Sequence, residues 1–273
     1  MFTDSHNHTS EFSADAHMTA QELCLSAKAK GLDAVVITEH YELDYPHKLQ
    51  KAQIFEIDTY FEEFRKWSLQ LPEGLRLYSG IELGFQSHLS KHYDNLVLKY
   101  PFDSVIMSNH LYRGKDPYYF RDCYQKPKNE VYSGYIDEMT EMILSCKEFD
   151  IVGHSDYIMR YSSYDDPTMK YADMPESYDR FLKALVQKKK SLEINTRSIN
   201  KLINKNISNI WPDMEILRKY RDLGGERITL GSDSHDPSTI GYYFAETVIF
   251  LKNCGFSELT TYVGRKEIRT PLT

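Results

Sequence analysis

Short apolar or β-branched runs recur seven times along the chain, each closing on polar residues and followed by a segment with helical spacing. That alternation predicts a parallel sheet or barrel built from β/α units. The predicted strands end near Asp4-Ser5-His6-Asn7-His8, Val35-Val36-Ile37-Thr38-Glu39-His40, Leu77-Tyr78-Ser79-Gly80-Ile81-Glu82 and Val105-Ile106-Met107-Ser108-Asn109-His110. The remaining three end near Ile151-Val152-Gly153-His154-Ser155-Asp156, Leu192-Glu193-Ile194-Asn195 and Ile228-Thr229-Leu230-Gly231-Ser232-Asp233-Ser234-His235. Apolar residues returning every three or four positions predict helices, among them Ala20 to Lys30, Ile57 to Leu71, Gly134 to Lys147, Tyr178 to Lys189 and Met214 to Leu223. Gly31 closes the first of these and Gly224-Gly225 the last, because glycine takes the left-handed terminal conformation without strain. No linker, low-complexity tract or internal repeat interrupts the pattern, so residues 1–273 read as a single domain.

Composition narrows the function classes. Thirty-three Lys and Arg against 40 Asp and Glu give a net charge of −7, which offers no general attraction to nucleic acid or to an anionic membrane. No stretch approaches the roughly 20 apolar residues of a membrane span, and the N-terminus lacks the basic start and apolar run of a signal peptide, so a cytoplasmic location is expected. Four dispersed cysteines without a CxxC pair suggest neither a disulfide framework nor a thiolate zinc site. The 21 tyrosines are numerous for this length. Tyr112, Tyr118, Tyr119, Tyr124, Tyr157, Tyr161 and Tyr164 are candidates either for half-buried packing or for the wall of an aromatic substrate pocket.

Every predicted strand except the sixth closes with an acid or a histidine. The carboxyl ends of barrel strands converge on one mouth, so His6, His8, His40, Glu82, His110, His154, Asp233 and His235 would share one site. In His6-x-His8 and Asp233-x-His235 the period of two turns both side chains to the same side of a strand, and Gly231 leaves room for a close approach. Buried imidazoles and carboxylates without partners cost on the order of a few kcal/mol each, and a cation relieves that cost. His47, His88 and His92 lie in polar surroundings away from any strand end and read as surface residues. His17, just past the loop Thr9 to Ala16, is a candidate substrate contact, as are Glu39 and Asn195 at the ends of the second and sixth strands. Arg160 and Arg197 follow Asp156 and Asn195 by four and two residues, which brings their planar donor forks to the same mouth, suited to a phosphate.

Taken in order, His6-Asn7-His8-Thr9, Asp15, Thr38-Glu39-His40, Gly80-Ile81-Glu82, Ser108-Asn109-His110, Gly153-His154-Ser155-Asp156 and Gly231-Ser232-Asp233-Ser234-His235 resemble the full motif set of the polymerase and histidinol phosphatase (PHP) superfamily. The resemblance runs from about residue 3 to 250. The length and the two arginines are more similar to its monofunctional histidinol-phosphate phosphatases than to its polymerase-appended members. The resemblance implies a distorted seven-stranded (β/α)7 TIM-like barrel with three divalent metal ions at the C-terminal mouth of the strands. His6, His8, Glu82 and Asp233 would surround one ion, Glu82 would bridge to a second held by His110 and His154, and Asp15, His40 and His235 would hold the third. Some members carry histidine near the position of Asp15. All these donors are nitrogen or oxygen, which admits zinc, iron or manganese. The implied reaction is hydrolysis of a small phosphate monoester, L-histidinol phosphate, by a hydroxide bridging two ions that attacks phosphorus in line. Arg160 and Arg197 would neutralise the non-reacting oxygens, and Asp156 or the third metal would serve the leaving alkoxide.

Three other readings compete. A binuclear amide or ester hydrolase barrel also begins with His-x-His, but calls for a bridging lysine at the fourth strand and a lone aspartate at the eighth, whereas here Glu82 closes the third strand and a histidine follows Asp233. A phosphodiesterase or nuclease for short oligonucleotides or nucleotides fits the metals, while net acidity and the lack of a basic stripe argue against a long polymer. A non-enzymatic metal-binding module leaves the two arginines unexplained.

Overall fold

The computed structural model describes residues 2–46 and 53–272; His47 lies outside them. Seven parallel strands form one sheet in sequence order: β1 (Thr3–Asp4), β2 (Ala34–Tyr41), β3 (Arg76–Gly84), β4 (Ser104–Ser108), β5 (Ile151–Val152), β6 (Ser191–Asn195) and β7 (Ile228–Gly231). The first and last strands come together: Ser5 N donates to Leu230 O at 2.9 Å, His8 N donates to Ser234 O at 2.9 Å, and Asn7 bridges Ser234 in parallel. The result is a nearly closed, TIM-like barrel with helices outside, as the alternation predicted.

Strand periodicity sorts the side chains. On β2, Val35 and Ile37 join the core under the helices, while His40 turns inward opposite Glu82, its register partner on β3. On β4 and β5, Ile106 and Ile151 pack inside the barrel, and Val105, Met107 and Val152 face the helices. The interior is narrow. A Cβ on Gly231 would lie 2.1 Å from Glu193 Oε1 and 2.6 Å from the Cβ of His6, so glycine is required there by the two side chains that cross in front of it.

The helices are α1 (Ala20–Ala29), α2 (Ile57–Ser68), α3 (Ser90–Lys99), α4 (Lys128–Ser145), α5 (Pro175–Lys188), α6 (Thr196–Asn204), α7 (Met214–Asp222) and α8 (Phe244–Asn253). Thr19 and Glu22 form a reciprocal capping box at the start of α1, and Gly31 follows its end at φ 75°. Helix α4 begins six residues before the predicted Gly134, its buried face extending back through Val131 and Tyr132, while α5 starts early on a proline at its first position. Among the described residues no helix is long and apolar enough to cross a membrane.

After α8 the chain adds an antiparallel hairpin that the seven-unit pattern did not include, β8 (Glu258–Val263) and β9 (Lys266–Pro271). Its Tyr262 packs with Ile106 and Ile151, the inward residues of the barrel, and its hydroxyl lies 2.9 Å from Ser191 Oγ. These contacts plug the barrel at the end opposite the predicted site.

Candidate metal centre

At the carboxyl ends of the strands, Glu82 is fully buried and surrounded by imidazoles. Its Oε1 lies 2.9 Å from His154 Nε2, 3.3 Å from His110 Nε2 and 3.4 Å from His6 Nε2; its Oε2 lies 2.6 Å from His40 Nδ1 and 3.7 Å from His8 Nε2. Burial alone would raise this carboxyl, but the charges of His6, His110 and His40 outweigh it and hold it well below the usual carboxylate range. Asp233 Oδ1 completes a group with His8 Nε2 at 3.5 Å and His6 Nε2 at 4.0 Å. Beside it, Asp15 Oδ2 is 3.2 Å from His235 Nε2, Asp15 Oδ1 is 3.8 Å from His40 Nε2, and the two imidazole nitrogens are 3.4 Å apart. Asp233 itself sits at φ 50°, a left-handed conformation that non-glycine residues seldom adopt outside functional or over-determined positions.

The donor set fits divalent cations on evidence internal to the site. His6 Nε2, His8 Nε2, His40 Nδ1 and Glu82 Oε2 are buried without a hydrogen-bond partner, and they point toward one another. His40 Nδ1 and Glu82 Oε2 are close yet out of hydrogen-bonding alignment. The opposite ring nitrogens are anchored: His6 Nδ1 is 2.7 Å from Glu193 Oε1 and His110 Nδ1 is 2.5 Å from Glu42 Oε1, the outer carboxylates that fix tautomer and ring orientation in metal sites. Burial and the nearby Arg160 bring His154 down to about 4, so it stands as a neutral donor at neutral pH.

A model of the PHP domain family matches residues 4–197. The chain belongs to the PHP family. It is 35% identical over 93% of its length to a probable histidinol-phosphatase of Clostridium acetobutylicum, covering 94% of that protein. It is 30% identical over 96% of its length to a histidinol-phosphatase of Lactococcus lactis, covering 95% of it. The crystal structure of histidinol phosphate phosphatase from Lactococcus lactis, complexed with zinc, L-histidinol and phosphate, superposes with a TM-score of 0.83 at 29% identity, with 98% of both chains covered. The crystal structure of a putative histidinol phosphatase from Listeria monocytogenes shares the fold at a TM-score of 0.75 and 18% identity, over 89% of this chain and 99% of that one.

In this PHP chain the other sequence candidates divide. Arg160 is buried, with Nη1 donating to Asp233 Oδ2 at 2.8 Å, Nε donating to Ser198 Oγ at 2.9 Å, and Nη2 buried with no partner. Arg197 Nη1 donates to Asp233 Oδ1 at 3.0 Å and also reaches the His235 ring. Both arginines line the cleft over the clustered donors. Asp156 does not line it: its Oδ1 accepts from Ser198 Oγ at 2.8 Å, and Ser198 Oγ in turn accepts from Arg160 Nε. Asn195 does not line it either: its Oδ1 caps α6 by accepting from the Arg197 amide, and its Nδ2 donates to Glu193 Oε2 at 3.0 Å. Glu39 lies on the outer side of β2, where Thr9 and Ser13 donate to it, and it anchors the loop that carries Asp15. His17 holds His235 O through its backbone amide at 2.7 Å, and its ring is exposed outside the cleft. Asp156, Asn195, Glu39 and His17, read from the sequence as a proton donor and three substrate contacts, are thus placed outside the lining of this cleft. His88 and His92 are on the surface, as read. Of the tyrosine cluster, Tyr157 and Tyr161 line the cleft, whereas Tyr124 and Tyr164 bond backbone carbonyls and Tyr112 packs in the core.

Sequence reasoning missed Glu42 and Glu193. Glu42 follows His40 by two residues on the same face, and Glu193 is an acid inside a strand whose alternate residues, Leu192 and Ile194, are core. Period two carried both signals. Because Glu193 also accepts from His154 N at 2.7 Å, Glu193→Gln is expected to lower metal affinity about tenfold, as loss of an outer carboxylate does. Competition with a metallochromic chelator measures it; an unchanged affinity removes Glu193 from the support of His6.

Proposed function

We propose that the chain, as one phosphatase domain, hydrolyses L-histidinol phosphate to L-histidinol and inorganic phosphate with divalent metal ions. The observation that carries this reading is the unpartnered, buried Nη2 of Arg160 beside the converging donors: a phosphoryl oxygen is the acceptor it lacks. The likeness to the Lactococcus lactis enzyme, solved with L-histidinol and phosphate, supports the same substrate. Three ions fit the donors. His6, His8, Asp233 and Glu82 would hold one, Glu82, His110 and His154 a second, and Asp15, His40 and His235 a third. Zinc, iron and manganese all suit such ligands. Divalent ions in such a site lower the pKa of water and polarise phosphoryl oxygens.

The protein's own contribution is orientation and charge. Arg160 and Arg197 grip the phosphoryl group from the side of Asp233, whose two carboxylate oxygens hold one guanidinium each. Asp156 and Ser198 in turn fix the Arg160 side chain, so Asp156 is a positioning residue. Purified protein analysed for metal and assayed on monoesters, diesters and dinucleotides tests the reading. About three equivalents and the highest kcat/KM on histidinol phosphate are expected; a diester or nucleotide turned over more efficiently overturns it. Asp15 is half-exposed, and its group has only three protein donors, so mild chelation should remove one ion ahead of the others. Simultaneous loss of all ions, or three ions retained in His40→Ala, would refute the third group.

A further inference from the structure

Four carboxylates line the cleft, Asp15, Glu42, Asp116 and Asp233. Three are committed: Asp15 faces His235 and His40, Glu42 holds His110, and Asp233 carries both arginines. Asp116 is different. It is 5% exposed, and among the described residues the hydrogen bonds to its carboxylate come from neutral donors: the Tyr45 hydroxyl on Oδ2, Tyr118 N at 2.7 Å and the Tyr157 hydroxyl at 3.1 Å on Oδ1. Three donors on a carboxylate leave room for at least one more. A buried carboxylate is costly to keep without a cation, and burial does push this one upward, against the pull of the donors and of His110. Tyr157 ties it to the phosphate end: the ring centroid is 5.5 Å from the Arg160 guanidinium carbon and 4.9 Å from the His110 ring centroid, while the hydroxyl reaches Asp116. The cleft therefore has the Arg160 guanidinium beside the Tyr157 ring and, at the hydroxyl of the same tyrosine, a carboxylate that forms no ion pair with any of the described residues.

We propose that Asp116 is the counter-ion for the ammonium group of the substrate, which makes the enzyme selective for phosphate monoesters of amino alcohols. This rests on the proposed phosphatase reading and adds the group that recognises the alcohol half. In histidinol phosphate the ammonium sits on the carbon next to the ester carbon, within a tyrosine ring's span of the phosphate. It is also charged throughout the neutral range, in which an imidazole at its ordinary value is mostly neutral. A charge-assisted bond to a buried, pre-oriented carboxylate is a strong discriminator, because a substrate lacking the cation leaves that carboxylate unpaired.

The test compares L-histidinol phosphate with its deamino analogue, 3-(imidazol-4-yl)propyl phosphate, on the metal-loaded enzyme. The native protein should favour the amine by at least tenfold in kcat/KM. Asp116→Asn should bring that ratio close to one, and Asp116→Glu should recover part of it, with metal content and the circular dichroism spectrum measured for each variant. A ratio in Asp116→Asn equal to that of the native protein overturns the inference. Failure of the phosphatase reading would look different, as no turnover of either imidazole substrate while 4-nitrophenyl phosphate is hydrolysed. The ratio is then read with phosphoethanolamine against ethyl phosphate, and no preference for the amine overturns the assignment of Asp116 as well.

Discussion

Glu82→Ala is expected to lose at least one equivalent of bound metal and on the order of a thousandfold in kcat/KM while remaining folded. No other side chain in the centre touches so many donors: five imidazole nitrogens lie between 2.6 and 3.7 Å from its two oxygens. Without it, His110 and His154, whose Nε2 atoms are 3.2 Å apart, have no anion between them and the first group of donors. Asp233 cannot substitute, since among these five imidazoles its carboxylate approaches only His6 and His8. The fold should persist because the outward neighbours Ile81 and Leu83 keep β3 in the core, and because the imidazoles can become neutral once the carboxylate is gone. Elemental analysis with far-ultraviolet circular dichroism decides the matter. Full metal stoichiometry in a folded Glu82→Ala protein would remove Glu82 from the bridge.

The clustering of the candidate ligands was legible because a parallel barrel turns a sequence rule into a spatial one. A chemically active residue at the end of each strand must face the same mouth, and His6, His8, His40, Glu82, His110, His154, Asp233 and His235 all obey it. Residues that support the centre from mid-strand positions or loops escape that rule. Glu193 stands two residues before the end of β6 and reaches His6 only because Gly231 leaves space on the next strand. Asp116 comes from the long β4–α4 connection, where no period constrains direction, and its partner Tyr45 from the connection after β2. The direction of Asp156 escaped that rule for a related cause: proximity to His154 in sequence does not say which way a side chain turns, and Ser198 on α6 holds this one behind Arg160. The terminal hairpin had a local signature. Gly264 and Arg265, at φ 55° and 61°, make the mirror-image turn that joins two strands, but β9 is too exposed to show an apolar alternation.

Arg160→Lys should lower kcat/KM for histidinol phosphate roughly tenfold or more, about 1.4 kcal/mol, and Arg160→Met on the order of a hundredfold or more, both with metal content unchanged. The guanidinium divides its donors: Nε on Ser198, Nη1 on Asp233, and Nη2 left for the substrate. A lysine ammonium keeps the charge but is one nitrogen on a flexible stem, so it cannot brace against Ser198 and Asp233 while also presenting a donor in a fixed direction. Burial disfavours the charged form of Arg160, yet Asp233 and Asp156 more than offset that and keep it cationic. The loss should therefore appear mainly in kcat, where charge on the phosphoryl oxygens is stabilised in the transition state, with a smaller change in KM. Arg197→Lys should behave similarly, since its Nη1 is shared between Asp233 and His235. Steady-state kinetics on the metal-loaded variants separates the terms, and values within twofold of the native enzyme for both lysine variants would mean that the phosphate is held by other groups.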